Sequence, residues 1–221
     1  MLTLILADAE LELIPQRIWG RPAVIAYTKR RKKKAKMCLL DATYHHSAMK
    51  ELEDGGRRGR PDIVHMFMLL AMDSIANQEG NVRVVVHTRN DEIIEVNPET
   101  RLPKHYDRFI GLMESLYDME AVPSRKNPLL ELTYGYPLKD YIEDIRKNEE
   151  TIVMSPEGEK AELGGLFKKK GNYIVIIGGF PEGDYRSPVY DMADRKVSIY
   201  DGMLKVWTVT AEVIADYERI R

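Results

Sequence analysis

Tyr173-Ile174-Val175-Ile176-Ile177-Gly178-Gly179-Phe180-Pro181-Glu182-Gly183 decides the fold class of this chain. Its first part is an apolar run with no polar alternation, as a strand covered on both faces requires, and the run empties into a glycine loop. The same pattern recurs on either side. Upstream lie a strand at Leu129–Leu132, a helix at Leu138–Arg146 and a strand at Thr151–Met154 that ends in the loop Ser155-Pro156-Glu157-Gly158. Downstream come a strand at Val197-Ser198-Ile199-Tyr200 and a terminal helix with apolar or small residues at Leu204, Trp207, Ala211, Ile214 and Ala215. Strands alternating with helices predict an α/β fold, a mostly parallel sheet covered by helices, with ligand loops at the carboxyl ends of strands. The loop itself reads GGxxxG. It lacks the GxGxxG spacing of dinucleotide sites, no helical pattern starts within it, and no Walker A sequence occurs. Glycines after a buried strand let the backbone approach a flat ligand, so a nucleoside-containing cofactor is expected there.

The N-terminal half supplies charge. Leu2–Leu6 reads as a buried strand followed by an acidic turn at Ala7-Asp8. The run Lys29-Arg30-Arg31-Lys32-Lys33-Lys34-Ala35-Lys36 separates two apolar stretches and is either a solvated loop or an RNA-contacting arm. Asp41, His45 and His46 lack the spacing of a metal site, because adjacent histidines point in different directions and no HExxH or facial triad accompanies them. Cys38, inside an apolar run, reads as a core residue. In Gly59-Arg60-Pro61-Asp62-Ile63-Val64-His65, Pro61 suits the first helical turn and Asp62 suits the positive end of the helix dipole. That helix should run to about Ile75. Val82–Thr88 and Glu92–Asn97, joined by Arg89-Asn90-Asp91, predict a β-hairpin. Beyond it Arg101, Lys104 and Arg108 stand at i, i+3 and i+7, which predicts a positive stripe along a helical start, a phosphate site or a solvated face.

Composition narrows the class. The chain has 221 residues, 44% hydrophobic and 31% charged, with a formal net charge of −2. Residues 1–110 hold 18 Lys and Arg against 15 Asp and Glu, and residues 111–221 hold 15 against 20. Basic patches, more than net charge, decide whether a polyanion is held, so a near-neutral chain is compatible with RNA. No apolar run is long enough to span a bilayer, and the start lacks the basic region of a secretory leader. A single cysteine excludes an internal disulfide and a thiolate metal cluster, so a reducing compartment, the cytoplasm, is expected, with no membrane partner and no metal. No repeat or low-complexity linker divides the chain. One domain over 1–221 is expected, with an extension of hairpin and basic helix at about 80–110 and a cofactor-binding part at about 150–221.

Taken together in order, GRPDIVH, LAMDSIANQEG, VVVHTRNDEIIEVNPETRLPKHYDRFIGLM, IVMSPEG, VIIGGFPEGD and KVSIYDGMLKVW resemble the ribosome-biogenesis pseudouridine N1-methyltransferases of the SPOUT superfamily. The resemblance covers roughly residues 2–218. It implies a SPOUT-type α/β knot, with a C-terminal trefoil knot that general topology rules would never suggest. It implies S-adenosylmethionine as cofactor, a homodimer, and methylation of N1 of a pseudouridine in a small-subunit rRNA hairpin loop. A role in small-subunit assembly, and with it contact to small-subunit ribosomal proteins, is also implied.

Position by position, the resemblance makes Arg60 and Asp62 the catalytic pair, with Arg60, Arg101, Lys104 and Arg108 binding RNA. The family pattern carries arginine where this chain has Lys104; lysine keeps the charge and loses the bidentate fork. Met154, Gly178, Gly183 and the segment Ile199-Tyr200-Asp201-Gly202-Met203-Leu204 become the cofactor-binding residues. In this reading Asp62 hydrogen-bonds and orients N1–H of the base, while Arg60 stabilises negative charge on the ring or holds a phosphate. Two other functions stay open at this point: an rRNA-binding assembly factor whose methyl transfer is dispensable, and a SPOUT methyltransferase acting on another RNA base.

Overall fold

The computed structural model describes residues 1–220 and contains one eight-stranded sheet in the order β4-β5-β3-β2-β1-β7-β6-β8. The strands are β1 (Leu2–Ala9), β2 (Val82–Thr88), β3 (Glu92–Val96), β4 (Ala121–Val122), β5 (Leu130–Tyr134), β6 (Glu150–Lys160), β7 (Tyr173–Gly178) and β8 (Arg195–Ser198). The helices are α1 (Pro22–Arg31), α2 (Ala42–Met49), α3 (Pro61–Met72), α4 (Ile75–Gln78), α5 (Tyr106–Met119), α6 (Leu138–Ile145), α7 (Val189–Met192) and α8 (Val206–Arg219). β1 lies between β2 and β7, parallel to both, with Leu4 in register with Val84 on one side and Val175 on the other. β6 pairs in parallel with β7 and β8. β3, β5 and β4 extend the sheet antiparallel from β2.

Period-two alternation sorts the strand residues onto two faces. Leu4, Leu6, Val84, Val86, Val175 and Ile177 join Phe67 of α3, Phe109 of α5 and Val213 of α8 in the larger core. Ile5, Val85, Val153, Ile174 and Ile176 face the other way, onto Leu138 and Ile142 of α6 and Val189 of α7. Because both faces are covered, the central strands read as continuous apolar runs. A third cluster, with Val24, Tyr27, Cys38, Leu40 and Met49, holds α1 against α2 beside the sheet. Cys38 is buried there, as expected of a core residue.

Several boundaries differ from the sequence reading. β1 continues through Asp8 to Ala9, and the expected acidic turn is a register irregularity in which Asp8 takes φ 50°. α3 ends at Met72, and Ser74 caps a separate short helix, its side chain accepting from Asn77 N at 3.1 Å. The expected loop at Ser155–Gly158 is the continuation of β6, pressed against β8: a Cβ on Gly158 would meet the Val197 backbone at 2.5 Å. β8 stops at Ser198, so Ile199 and Tyr200 leave the sheet.

Candidate active site

Arg60 is the N-cap of α3 and Asp62 sits in its first turn, so the chain entry fixed by Pro61 aims both side chains at one spot. They meet there. Arg60 Nε donates to Asp62 Oδ1 at 2.8 Å and Nη2 donates to Oδ2 at 2.7 Å, a bidentate pair. The hydrogen bond to Asp62 pushes the Arg60 guanidinium up from its already high pKa, against the opposing effect of burial, so Arg60 is a permanent cation. Asp62 stays 45% exposed at its side chain, leaving carboxylate lone pairs open to a second donor. The pair lines a small cavity with Asp41, Ala42, Thr43, Gly59 and Tyr106. Tyr106 Oη donates to Asp41 Oδ2 at 2.8 Å, and Asp41 Oδ1 caps α2 by accepting from Thr43 N at 2.8 Å. Burial, reinforced by the Asp41 charge, raises the Tyr106 phenol far above its ordinary value, so it stays protonated and keeps its O–H on Asp41. Gly59 closes the turn at φ +64°, with its carbonyl accepting from Ala42 N at 2.9 Å. A Cβ at this glycine would press on Leu40, Ala42 and Met49 at 3.1–3.3 Å.

The end of β1 joins this cavity to the glycine loop after β7. Glu10 N donates to Gly179 O at 3.1 Å, and Glu10 O accepts from Arg60 N at 2.8 Å. The Glu10 side chain, fully buried, accepts from Arg57 Nε and Arg89 Nη1, both at 2.6 Å, while Arg58 holds Glu12 in a bidentate pair. Arg57 also donates to Asp184 O at 2.6 Å and lies 3.9 Å over the Phe180 ring. Close approach is built in: a Cβ on Gly179 would overlap Ala9 and Leu6.

A second cavity, about 380 Å³, opens at the carboxyl ends of β7 and β8 beside the middle of β6. Of the expected cofactor residues, Met154, Gly178, Gly183, Ile199, Tyr200, Gly202, Met203 and Leu204 line it. Asp201 is not among the lining residues; its carboxylate pairs with Lys160. The walls are chiefly apolar, and Tyr200 and Met203 at the rim are 62% and 69% exposed, which no protein packing explains. The sequence reading missed Tyr185 and Tyr190. Tyr185 Oη donates to Met154 O at 2.8 Å, Tyr190 Oη donates to Asp184 Oδ1 at 2.7 Å, and burial pushes the Tyr190 phenol up to about 12. A signal existed, since tyrosines in the segment that follows a buried strand are natural walls for a flat ligand.

The basic stripe takes a different form from the one expected. α5 begins at Tyr106, so Arg101 and Lys104 lie in the non-helical lead-in and only Arg108 is helical. His65 explains this, because its Nε2 is 2.8 Å from Pro103 O and its ring stacks on Phe109 at 4.3 Å, tying the lead-in to α3. All three cations are exposed. Among the described residues no cluster suited to a metal ion occurs, and no helix is long and apolar enough to cross a membrane.

A family model described as EMG1/NEP1 methyltransferase matches residues 4–218. The chain is 50% identical over 222 residues to the ribosomal RNA small subunit methyltransferase Nep1 of Thermococcus kodakarensis, covering 99% of this chain and 98% of that protein. It is 49% identical to the Pyrococcus furiosus protein of the same name, covering 98% and 96%. Among solved structures, Archaeoglobus fulgidus Nep1 bound to S-adenosylhomocysteine superposes with a TM-score of 0.88 at 38% identity, covering 99% of this chain and 98% of that one.

Proposed function

The chain belongs to the EMG1/NEP1 methyltransferase family, and from that membership we propose that it uses S-adenosylmethionine to methylate N1 of a pseudouridine in a small-subunit rRNA hairpin loop. The observation that carries the reading is the apolar cavity at the ends of the parallel strands β7 and β8, against β6, with Tyr200 and Met203 exposed at its rim. The cavity fits the cofactor. Its volume falls in the range of small-molecule sites, its apolar walls suit an adenine, and the Gly178, Gly183 and Gly202 backbones admit close approach. S-adenosylmethionine, when bound, supplies an electrophilic methyl group on a sulfonium. What the chain must add is alignment and a nucleophilic N1.

Asp62 accepts a hydrogen bond from N1–H of the target base and orients it, while the bidentate grip on Arg60 fixes the carboxylate. The N1 proton passes along this hydrogen bond to the Asp62 carboxylate only as the new N1–methyl bond forms. Arg60 offers its outward N–H groups to the ring oxygens or to a phosphate. Tyr106 and Asp41 wall the pocket into which a loop base is flipped. Arg101, Lys104 and Arg108 hold the RNA backbone.

The protein works as a homodimer in the cytoplasm, and its role in small-subunit assembly brings it to ribosomal proteins. The exposed apolar side chains Met66 of α3 and Ile75 of α4 mark the face that a second copy would cover.

The test uses purified protein, S-adenosylmethionine and matched hairpins carrying uridine or pseudouridine, with the methyl located by mass spectrometry. Methyl on the pseudouridine hairpin alone is expected. Methyl on the uridine hairpin, or tight binding with no methyl at all, would overturn the reading. Asp62→Asn should bind the hairpin nearly normally while transfer collapses; transfer at the wild-type rate would remove Asp62 from the chemistry.

A further inference from the structure

The basic run 29–36 is neither the loop nor the free arm its sequence allows. It is the last turn of α1, a left-handed cap at Lys32, and a single 3-10 turn, all packed on α2 and α5. Folding divides its charges into two sets. Arg31 and Lys33 turn inward and share the buried carboxylate of Glu114 on α5, at 2.7 and 2.6 Å. Lys29, Arg30, Lys32, Lys34 and Lys36 are exposed. Arg30 is held as well as exposed, with its guanidinium 4.9 Å over the Tyr44 ring and 5.5 Å over Tyr27. A guanidinium parked on two aromatic faces loses little freedom when it meets a phosphate.

The position of this surface gives it meaning. Tyr44 follows directly on Ala42 and Thr43, which line the Arg60–Asp62 cavity. Glu114, which anchors the basic end of α1, stands on the same helix as Arg108. The cavity is therefore tied to cationic surface on two sides: its wall Tyr106 opens α5, whose first turn carries the exposed Arg108, and α2, which supplies Ala42 and Thr43, packs against α1 with its exposed basic end. Helix-dipole complementarity explains some positive charge at a helix C-terminus. It does not explain Lys32, Lys34 and Lys36, which carry the exposed positive charge on beyond the helix and, with Lys29 and Arg30, make a surface complementary to a polyanion.

We propose that the α1 end, Lys29 to Lys36, is a second RNA-contacting surface that grips the phosphates of the hairpin stem while the loop base sits in the Arg60–Asp62 cavity. This rests on the reading of the protein as an rRNA methyltransferase, but the contact is with duplex backbone and is indifferent to sequence.

The experiment compares wild type with K29A/R30A/K32A/K34A, which leaves the Glu114 ion pairs intact, and with the single variant K34E as a milder second probe. Unchanged thermal melting and S-adenosylmethionine affinity establish that each variant is folded. Binding is measured against salt on a pseudouridine hairpin whose stem exceeds one helical turn, and on a single-stranded oligonucleotide carrying the loop alone. On the long hairpin the quadruple variant should bind at least about tenfold more weakly, with the salt slope reduced by about one for each lost phosphate contact. On the loop oligonucleotide all three proteins should bind alike. Equal affinity and slope on the long hairpin, while wild type still transfers methyl, overturn the second surface and leave the function standing. Loss on the long hairpin, while wild type transfers no methyl, overturns the function and leaves the surface standing.

Discussion

Asp8 concentrates more polar contacts than any charge foreseen in the sequence reading. Its carboxylate accepts from Ser187 Oγ at 2.7 Å and from the Arg186 and Ser187 backbone N–H groups at 2.7 and 3.0 Å, and stands 3.5 Å from His87 Nδ1. Burial alone would raise its pKa, but the hydrogen bonds from His87 and Ser187 outweigh that and hold it at about 2. A folded pKa below the unfolded value means stability that is fully present above about pH 4 and is lost as pH falls towards 2. The contribution is about 2 kcal/mol. Acid unfolding of wild type should therefore steepen between about pH 4 and 2, and Asp8→Asn, compared by denaturant melts across that window, should remove the steep part while costing about 2 kcal/mol at neutral pH. Gly59 is a second single-residue lever. Its left-handed φ and tight neighbours predict that Gly59→Ala destabilises by about 1–3 kcal/mol and shifts Arg60, seen as a lower melting temperature with transfer reduced beyond the loss of folded protein.

Among elements, the lead-in 100–105 and α5 act as one arm. His65, Phe109 and Tyr106 fix it to α3 and α2, so Arg101, Lys104 and Arg108 are presented from a rigid support although they share no helical face. Changing Arg101 or Arg108 to Ala should weaken hairpin binding and lower its salt slope by about one unit each, leaving cofactor affinity unchanged. An unaltered slope would take those side chains out of the interface. Spacing i, i+3, i+7 predicted one helical stripe, which the structure does not form. Local periodicity cannot register that His65, thirty-eight residues before Pro103, holds the segment out of the helix. The helix α3 was legible because Pro61, Asp62 and an apolar stripe are local signals. Its end was not, because Ser74 captures the chain as a new cap.

At the scale of the molecule, the sheet brings the two cavities into one mechanical unit: β1 runs between β2 and β7, and Glu10 at its end touches both Gly179 and Arg60. The exposed Met66 and Ile75 predict a particle of twice 25.5 kDa by sedimentation equilibrium, and M66D/I75D should shift it towards the monomer. A wild-type monomer at micromolar concentration would remove the dimer. The amino-acid sequence by itself determined the strand runs, the parallel core and the ligand loop after β7, because apolar periodicity and glycine act over a few residues. It also determined that Arg60 and Asp62 face one spot, since two positions bracketing one proline share a turn. Only the tertiary structure decided that Tyr106 meets Asp41 across 65 residues and Arg57 meets Asp184 across 127, and that the basic run is split by Glu114 into an ion-paired, half-buried set and an exposed set. Strand order sets those meetings, and a buried carboxylate selects its cations by proximity in the folded chain.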